Sequence, residues 1–426
     1  MKVLLTTYHN NQISSGMYPY AAIASYLETY TDAEIKVVDA QREPLFDILD
    51  SWKPDIIAIG SYTVWHAEVV EQAWKIKAKA PYAKLLIGGY HITSMPSSFE
   101  NSPFDYAILG EAEEAFAMLV NGENLLRIPG LIVRGNLSTI PPVPVDINTL
   151  PVVDLVKYTP KWLYNGVVGM TTSRGCYFNC SYCNIRTMSK KVRLRSVKTV
   201  VNEIELYYKV LNIRHIVFWD DVFGLNKAWL VQFMLELGKR NLIGKIKYSI
   251  HVRADTVTRE LCTLWKQLGV VAWNMGIDFG NDTILLQTKG KGYTVEKIKE
   301  ALLLSGEFGF VTGCSFIFGA PRETFAQMKE TLSLLDWYID MKNLGKIHHS
   351  SHMWFFVATP LPGTMWWNTA LKEGKITRDI DLRRLSLHNW SEHLLLSPSV
   401  TNEEFSWIHE EAKKRMIIIN GSFNEY

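Results

Sequence analysis

The chain reads as α/β: a Rossmann-like doubly wound parallel sheet, then a partial (β/α)6 barrel and a small C-terminal helical region. Three observations predict this. Short β-rich runs alternate with helical patterns through residues 1–135, and again through 166–358. Most β-rich runs are apolar along their whole length, as strands covered by helices on both faces must be. A proline-rich passage at 136–165, including Ile140-Pro141-Pro142-Val143-Pro144, separates the two series.

In the first series the strands fall at 3–7, 35–39, 56–60, 84–88, 106–109 and 131–133. Helices are predicted near 19–30, 43–51, 66–80 and 111–121. Crossovers between parallel strands are right-handed, and ligands in such sheets sit beyond the carboxyl ends of the strands. Those ends carry Tyr8-His9-Asn10-Asn11-Gln12, then Ser61, Tyr62, Thr63 and Val64, then Gly89 and His91, then Gly110 and Glu111. Glycine permits close backbone approach to a ligand, and hydroxyls donate hydrogen bonds. The same residues also suit ordinary strand-to-helix turns with capping side chains. The passage 136–165 is expected to be an extended linker along the surface.

In the second series the strands fall at 167–172, 213–219, 246–250, 270–277, 311–319 and 353–357, with helices at 200–210, 226–239, 256–268, 293–308 and 323–337. Six β/α repeats are too few for a closed eight-stranded barrel, and chemistry in such folds belongs to the carboxyl ends of the strands. The first strand of this series runs straight into Cys176, Cys180 and Cys183, spaced Cys-x3-Cys-x2-Cys. Three thiolates on one tight loop hold three irons of a cubane cluster and leave the fourth iron open to a small molecule. Structural zinc wants four ligands. Cys262 lies in a helical pattern and Cys314 in a strand pattern, neither with a ligand partner beside it. The remainder, 359–426, has helical stretches near 365–373 and 402–417 and dense aromatics, including Trp366, Trp367, Trp390 and Trp407. Those aromatics read as core packing.

Bulk properties bound the function. A length of 426 residues suggests two or three domains. Lys and Arg number 45 against 43 Asp and Glu, a net charge of +2, so there is no electrostatic case for nucleic acid. Hydrophobic residues make up 47%, yet no apolar run is long enough for a membrane span. Met1-Lys2-Val3-Leu4-Leu5-Thr6 is too short for a signal peptide and reads as the first strand. Thiolates gathered in one loop, with no disulfide framework, fit a reducing cytoplasm.

Cys176-x3-Cys180-x-Tyr182-Cys183 resembles the cluster motif of the radical S-adenosylmethionine (SAM) enzymes, with an aromatic residue before the last cysteine. The resemblance implies a 4Fe–4S cluster on Cys176, Cys180 and Cys183, with SAM chelating the open iron. It also implies reductive cleavage of SAM to a 5′-deoxyadenosyl radical, fed by a flavodoxin- or ferredoxin-type electron donor. SAM carries an ammonium, a carboxylate and a ribose diol. The polar groups at the neighbouring strand ends, Asp220, Asp221, Arg253 and Asp278, match those needs, as does Tyr182 in the loop. Helix capping is the plain alternative for Asp220 and Asp221, and a surface salt bridge for Arg253. Ile277-Asp278-Phe279-Gly280 departs from the family's usual Glu-Ser-Gly at that place.

Gly88-Gly89-Tyr90-His91, Gly110-Glu111-Ala112-Glu113, Ile128-Pro129-Gly130-Leu131 and Thr359-Pro360-Leu361-Pro362-Gly363-Thr364 resemble the radical SAM enzymes that carry a cobalamin-binding domain. This implies cobalamin contacts at Ser61, Tyr62, Thr63, Val64, Gly89, His91, Gly110 and Glu111. His9 is the one residue that agrees with the lower-ligand motif Asp-x-His-x-x-Gly of classical cobalamin domains; without a ligand the cofactor would sit base-off over residues 61–65. The implied function is methylation of an unactivated carbon in a small-molecule or peptide substrate. Three rivals stand beside it: a radical rearrangement or cyclisation, an enzyme using SAM alone with an empty cobalamin-like domain, and a non-catalytic iron–sulfur redox sensor. A sensor would not need carboxylates and an arginine at successive strand ends.

Overall fold

The computed structural model describes residues 1–7, 17–136, 140–160, 165–385 and 394–421, so His9 and Trp390 lie outside the described residues. The chain forms two compact units: Met1–Gly175 with Asn184–Arg214, and Cys176–Cys183 with His215–Tyr426. The first unit therefore runs on past the proline-rich passage.

The first unit is built on β1 (Lys2–Thr7), α1 (Tyr18–Tyr30), β2 (Glu34–Asp39), α2 (Leu45–Trp52), β3 (Ile56–Gly60), α3 (His66–Lys79), β4 (Lys84–Gly88), α4 (Tyr90–Ser94), β5 (Tyr106–Ile108), α5 (Glu113–Val120) and β6 (Leu131–Val133). The sheet order is β2-β1-β3-β4-β5-β6. All pairs are parallel except β5 with β6. The order reverses between β1 and β3, which makes the carboxyl ends of those strands the ligand-binding crevice of a doubly wound sheet. Leu4, Ile57, Ile59, Leu85 and Ile87 are fully buried or nearly so against helix residues Val69, Ala73 and Ile76. That is why these strands read as apolar runs.

Residues 140–144 are exposed, as their prolines suggest, but the rest of the passage up to 160 also anchors to the first unit. Val145, Ile147, Val153 and Tyr158 are buried. The Tyr30 hydroxyl donates to the Thr149 carbonyl (2.9 Å) and Tyr158 to Glu28 (2.7 Å). A short α6 (Leu155–Tyr158) follows, then β7 (Val167–Met170), β8 (Ser173–Arg174), α7 (Ile185–Met188), β9 (Arg193–Leu194) and α8 (Val197–Val210). Buried Arg195 pairs with buried Glu203 (2.6 Å), and Glu203 also accepts from Tyr18 (2.8 Å) and the Val153 amide (3.1 Å). The proline-rich passage is thus tied to the rest of the unit by satisfied polar groups as well as by turns of its own.

The second unit continues the β/α series with β10 (His215–Phe218), α9 (Lys227–Lys239), β11 (Lys247–Val252), α10 (Arg259–Leu268), β12 (Val270–Asp278), α11 (Asp282–Lys289), α12 (Val295–Phe308), β13 (Val311–Phe318), α13 (Phe325–Asn343) and β14 (His352–Val357). Strands β10 to β14 pair in chain order, all parallel, and β7 supplies the sixth strand of the series. The open, six-membered count is that of a partial barrel. α14 (Met365–Lys372) and α15 (Asn402–Asn420) form the C-terminal helical region. Trp366 and Trp367 are buried there, whereas Trp407 is exposed. Helix α11 has no counterpart in the sequence reading, and α12 begins two residues later than expected. Among the described residues no helix is long and apolar enough to cross a membrane.

Candidate active site

The cysteine loop lies at the carboxyl-end side of the barrel series and is pinned by backbone bonds. The Ser181 amide donates to the Thr288 carbonyl at the end of α11 (2.8 Å). The Ser181 carbonyl accepts from the amides of Met365 (3.0 Å) and Trp366 (3.3 Å), the first residues of α14. Cys176, Cys180 and Cys183 are partly exposed free thiols, whereas Cys262 and Cys314 are buried in α10 and β13. Burial pushes Cys262 and Cys314 up to about 12, so they stay protonated and inert. Three soft, accessible sulfurs on one short loop, with no fourth cysteine beside them, fit a site-differentiated iron–sulfur cluster.

One polar network surrounds that loop. Arg253, just past β11, donates from Nη1 to Cys180 Sγ (3.2 Å), from Nε to Asp255 (2.7 Å) and from Nη2 to the Lys289 carbonyl (2.9 Å). Lys289 makes a buried ion pair with Asp278 (2.7 Å). Tyr182 donates its hydroxyl to the same carboxylate, and Tyr293 donates to the Gly276 carbonyl (2.5 Å). Asp278 ends β12 with a left-handed φ of 67°, at a shift in the β12–β13 register. Burial works against the charge on Lys289, yet Asp278 beside it holds its ammonium above the usual range. Tyr182 is pushed well up by burial and by the Asp278 charge, so its proton stays on the ring oxygen.

Of the five residues assigned to SAM from sequence, Tyr182, Arg253 and Asp278 come together in this network. Asp221 lines a cavity of about 260 Å3 together with His251, Asn274, Ser315 and Trp354 among others, and its charge also reaches Cys176. Burial, then the charge of neighbouring Asp220, pushes Asp221 up to about 6. Asp220 itself is buried. Burial lowers His251 below the usual histidine range, which leaves a neutral imidazole in the cavity wall. Gly313 creates part of this space. A Cβ there would lie 2.3 Å from Asn274 Oδ1 and 2.8 Å from the Trp354 ring.

In the first unit the strand-end residues assigned to cobalamin form a second polar constellation. Gly89 has φ 99°, and a Cβ on it would lie 2.9 Å from the Ser61 carbonyl. The Ser61 amide donates to Gly88 (2.9 Å), and the His91 amide donates back to Ser61 (3.1 Å). Ser61 Oγ contacts His66 Nδ1 (2.9 Å), and Thr63 Oγ1 contacts His91 Nδ1 (3.2 Å). The two imidazoles are in contact, their centroids 3.9 Å apart and their planes tilted by 32°. Burial lowers His66 to about 4, and burial plus His66 lowers His91 to about 3, so both rings are neutral. His91 Nε2 is buried without a hydrogen-bond partner. Val64 sits in the helical turn Thr63–Trp65. Tyr62 is exposed and stacks on Tyr90 at 5.8 Å. A glycine cradle, an orphaned buried nitrogen and the stacked Tyr62–Tyr90 pair beyond the carboxyl ends of β3 and β4 fit a large planar cofactor.

Gly110 donates its amide to Thr93 Oγ1 (3.0 Å). Glu111 is occupied by the Val145 amide (3.1 Å), by Arg193, and by Arg174 at 3.4 Å. Sequence reasoning missed His66, Lys289, Tyr293 and Asn274. A histidine at the start of α3 directly after a singled-out loop was the one available signal; the others depend on which elements meet.

Residues 170–335 match the radical SAM superfamily, and residues 4–120 match the B12 binding domain. The chain belongs to the radical SAM enzymes that carry a B12-binding domain. Its cofactor set is accordingly a 4Fe–4S cluster, SAM and cobalamin. An uncharacterised methyltransferase of Pyrococcus horikoshii is 28% identical over 394 residues, 88% of this chain and 81% of that protein. The anaerobic magnesium-protoporphyrin IX monomethyl ester cyclase of Rubrivivax gelatinosus is 26% identical over 76% of this chain, which spans only 62% of the cyclase. The radical SAM methyltransferase TsrM from Kitasatospora setae, solved with tryptophan and a SAM analogue, has the same fold. Its TM-score is 0.73 at 19% identity, covering 89% of this chain and 79% of TsrM.

Proposed function

We propose that this enzyme transfers a methyl group to an unactivated carbon of a small-molecule or peptide substrate. The observation that carries the reading is one chain holding both a three-thiol cluster loop and a B12-binding unit, with a named methyltransferase similar along most of its length. When bound, the cluster supplies one-electron reduction of SAM, and the corrin supplies a transferable methyl group.

The chain's own residues do the positioning. Cys176, Cys180 and Cys183 would hold the cluster. Asp278, Lys289 and Tyr182 lock the loop beside it through charge-assisted bonds in a dry site. The cavity around Asp221, His251, Asn274 and Ser315 offers donors and acceptors for SAM or substrate, and Trp354, Met275 and Val252 give it apolar wall. Ser61, Thr63, Gly89 and His91 would hold cobalamin. A flavodoxin- or ferredoxin-type protein would deliver electrons.

The test is anaerobic reconstitution with iron, sulfide, cobalamin and isotopically methyl-labelled SAM, followed by reduction in the presence of candidate substrates. Methylated product with matching S-adenosylhomocysteine and 5′-deoxyadenosine is the expected result. Turnover of a substrate with 5′-deoxyadenosine but no label transferred would favour the ring-forming chemistry named for the Rubrivivax relative. Cluster-loaded protein that yields neither SAM-derived product would overturn the enzyme reading.

A further inference from the structure

We propose that Arg253 is a positioning residue for the iron–sulfur cluster, and that it raises the cluster's reduction potential through a charged N–H bond to Cys180. The proposal rests on the radical SAM reading, because it requires a cluster on the three thiols.

The guanidinium is more constrained than a residue waiting for a ligand would be. Its Nε is held by Asp255, its Nη2 by the Lys289 carbonyl, and its Nη1 points at Cys180 Sγ, 3.2 Å away. Its flat face lies 4.0 Å from the Phe178 ring centroid and 4.6 Å from that of Tyr293. Arginine is permanently charged, stacks on aromatic rings and uses its fork geometry rigidly. Only about one-sixteenth of the residue's surface is exposed (6%), so solvent screens the interaction weakly.

Cluster potentials respond to hydrogen bonds on the ligating sulfurs and to nearby charge. One electron from an external reductant takes the cluster from the 2+ to the 1+ state, adding negative charge that is shared by the sulfurs. A cationic donor on Cys180 stabilises that added charge and favours reduction. Asp255, at 2.7 Å, offsets part of the arginine charge. The other nearby cation, Lys289, is paired with Asp278. Arg253 and Asp255 therefore act with opposite sign on the same sulfur.

The experiment is a dithionite titration of the reconstituted protein with redox mediators, read by electron paramagnetic resonance of the reduced cluster, without SAM. Iron and sulfide are quantified on the same samples. R253Q keeps a neutral donor, and D255N keeps the acceptor that orients Arg253. At a fixed potential R253Q should lower the reduced-to-oxidised ratio about tenfold, which is about 59 mV for one electron. D255N should raise that ratio. The opposite pair of shifts supports the proposal, and D255N alone carries the sign test if R253Q does not retain its cluster. Unmoved potentials, or shifts of the same sign, overturn it. Weaker SAM binding by R253Q at an unmoved potential also overturns it, and assigns the arginine to SAM instead. Wild-type protein that assembles no cluster overturns the family-based reading together with this one.

Discussion

Asp278 sits where a barrel strand stops, in a left-handed backbone conformation that a non-glycine residue adopts only when its surroundings hold it there. What holds it is Lys289 and Tyr182. Removing one partner of a buried ion pair leaves an uncompensated charge and typically costs about 3–5 kcal/mol. Lys289→Met should therefore destabilise the second unit by an amount in that range, measured as a lowered urea midpoint of the cluster-free protein. Adding Asp278→Asn should recover part of the loss. A double variant as unstable as the sum of both singles would contradict the pairing. Gly89 makes a parallel case in the first unit. Gly89→Ala places a Cβ against the Ser61 carbonyl at positive φ, so loss of cobalamin binding and about 1–3 kcal/mol of stability are expected. A cobalamin titration followed by visible absorbance, with thermal unfolding alongside, checks both.

Helix α11 shows what an element contributes that its sequence understates. Its eight residues, Asp282–Lys289, carry no clear apolar stripe, yet Asn281 caps its start by accepting from the Ile284 amide (3.1 Å) and Gly290 follows its end. It brings the Thr288 carbonyl to the cluster loop and Lys289 to both Arg253 and Asp278. Asn281→Ala should cost about 1 kcal/mol through the lost cap and loosen cluster retention, seen as faster iron loss to a chelator. Strand β13 offers a second handle. Gly313→Ala crowds Asn274 and Trp354, and overpacking of this kind costs about 1–3 kcal/mol. The cavity should also shrink, so SAM or substrate affinity should fall while the cluster spectrum stays unchanged. Intact affinity in that variant would remove the cavity from the active site.

Folding of the molecule as a whole should be sensitive to acid. His66 and His91 are buried neutral, with folded values of about 4 and about 3 against an ordinary 6.5. The unfolded chain binds protons at higher pH than the folded one, so stability rises with pH across this interval. The contribution is complete above about 6.5 and is lost as pH falls toward 4. For His66 alone the lowered value corresponds to something on the order of 3 kcal/mol. His66→Gln should flatten the dependence of the denaturation midpoint between pH 4 and 6.5. A slope equal to that of the wild-type protein would mean that the imidazole is not held neutral.

Patterns of apolar residues and cysteine spacing were enough to read two α/β series, the partial barrel and the cluster loop. Those features rest on local periodicity and on a short loop, and both are written in neighbouring residues. The proline-rich passage was legible as extended and exposed at 140–144, but proline limits backbone conformation without saying that Val145, Ile147 and Val153 find a surface to bury against. The strand-end residues of the first unit were legible as a group, but the contact of His91 with His66 was not. Arg253 and Asp278 were legible as charged groups at strand ends. Their partners, Cys180 and Lys289, are separated from them in sequence, and only packing of β11, β12 and α11 around the loop pairs them. Sequence specified which chemistry the chain carries, because thiol type and spacing are local. Tertiary structure decided which charge faces which sulfur, because that depends on long-range contacts and on a low-dielectric interior in which each pairing matters.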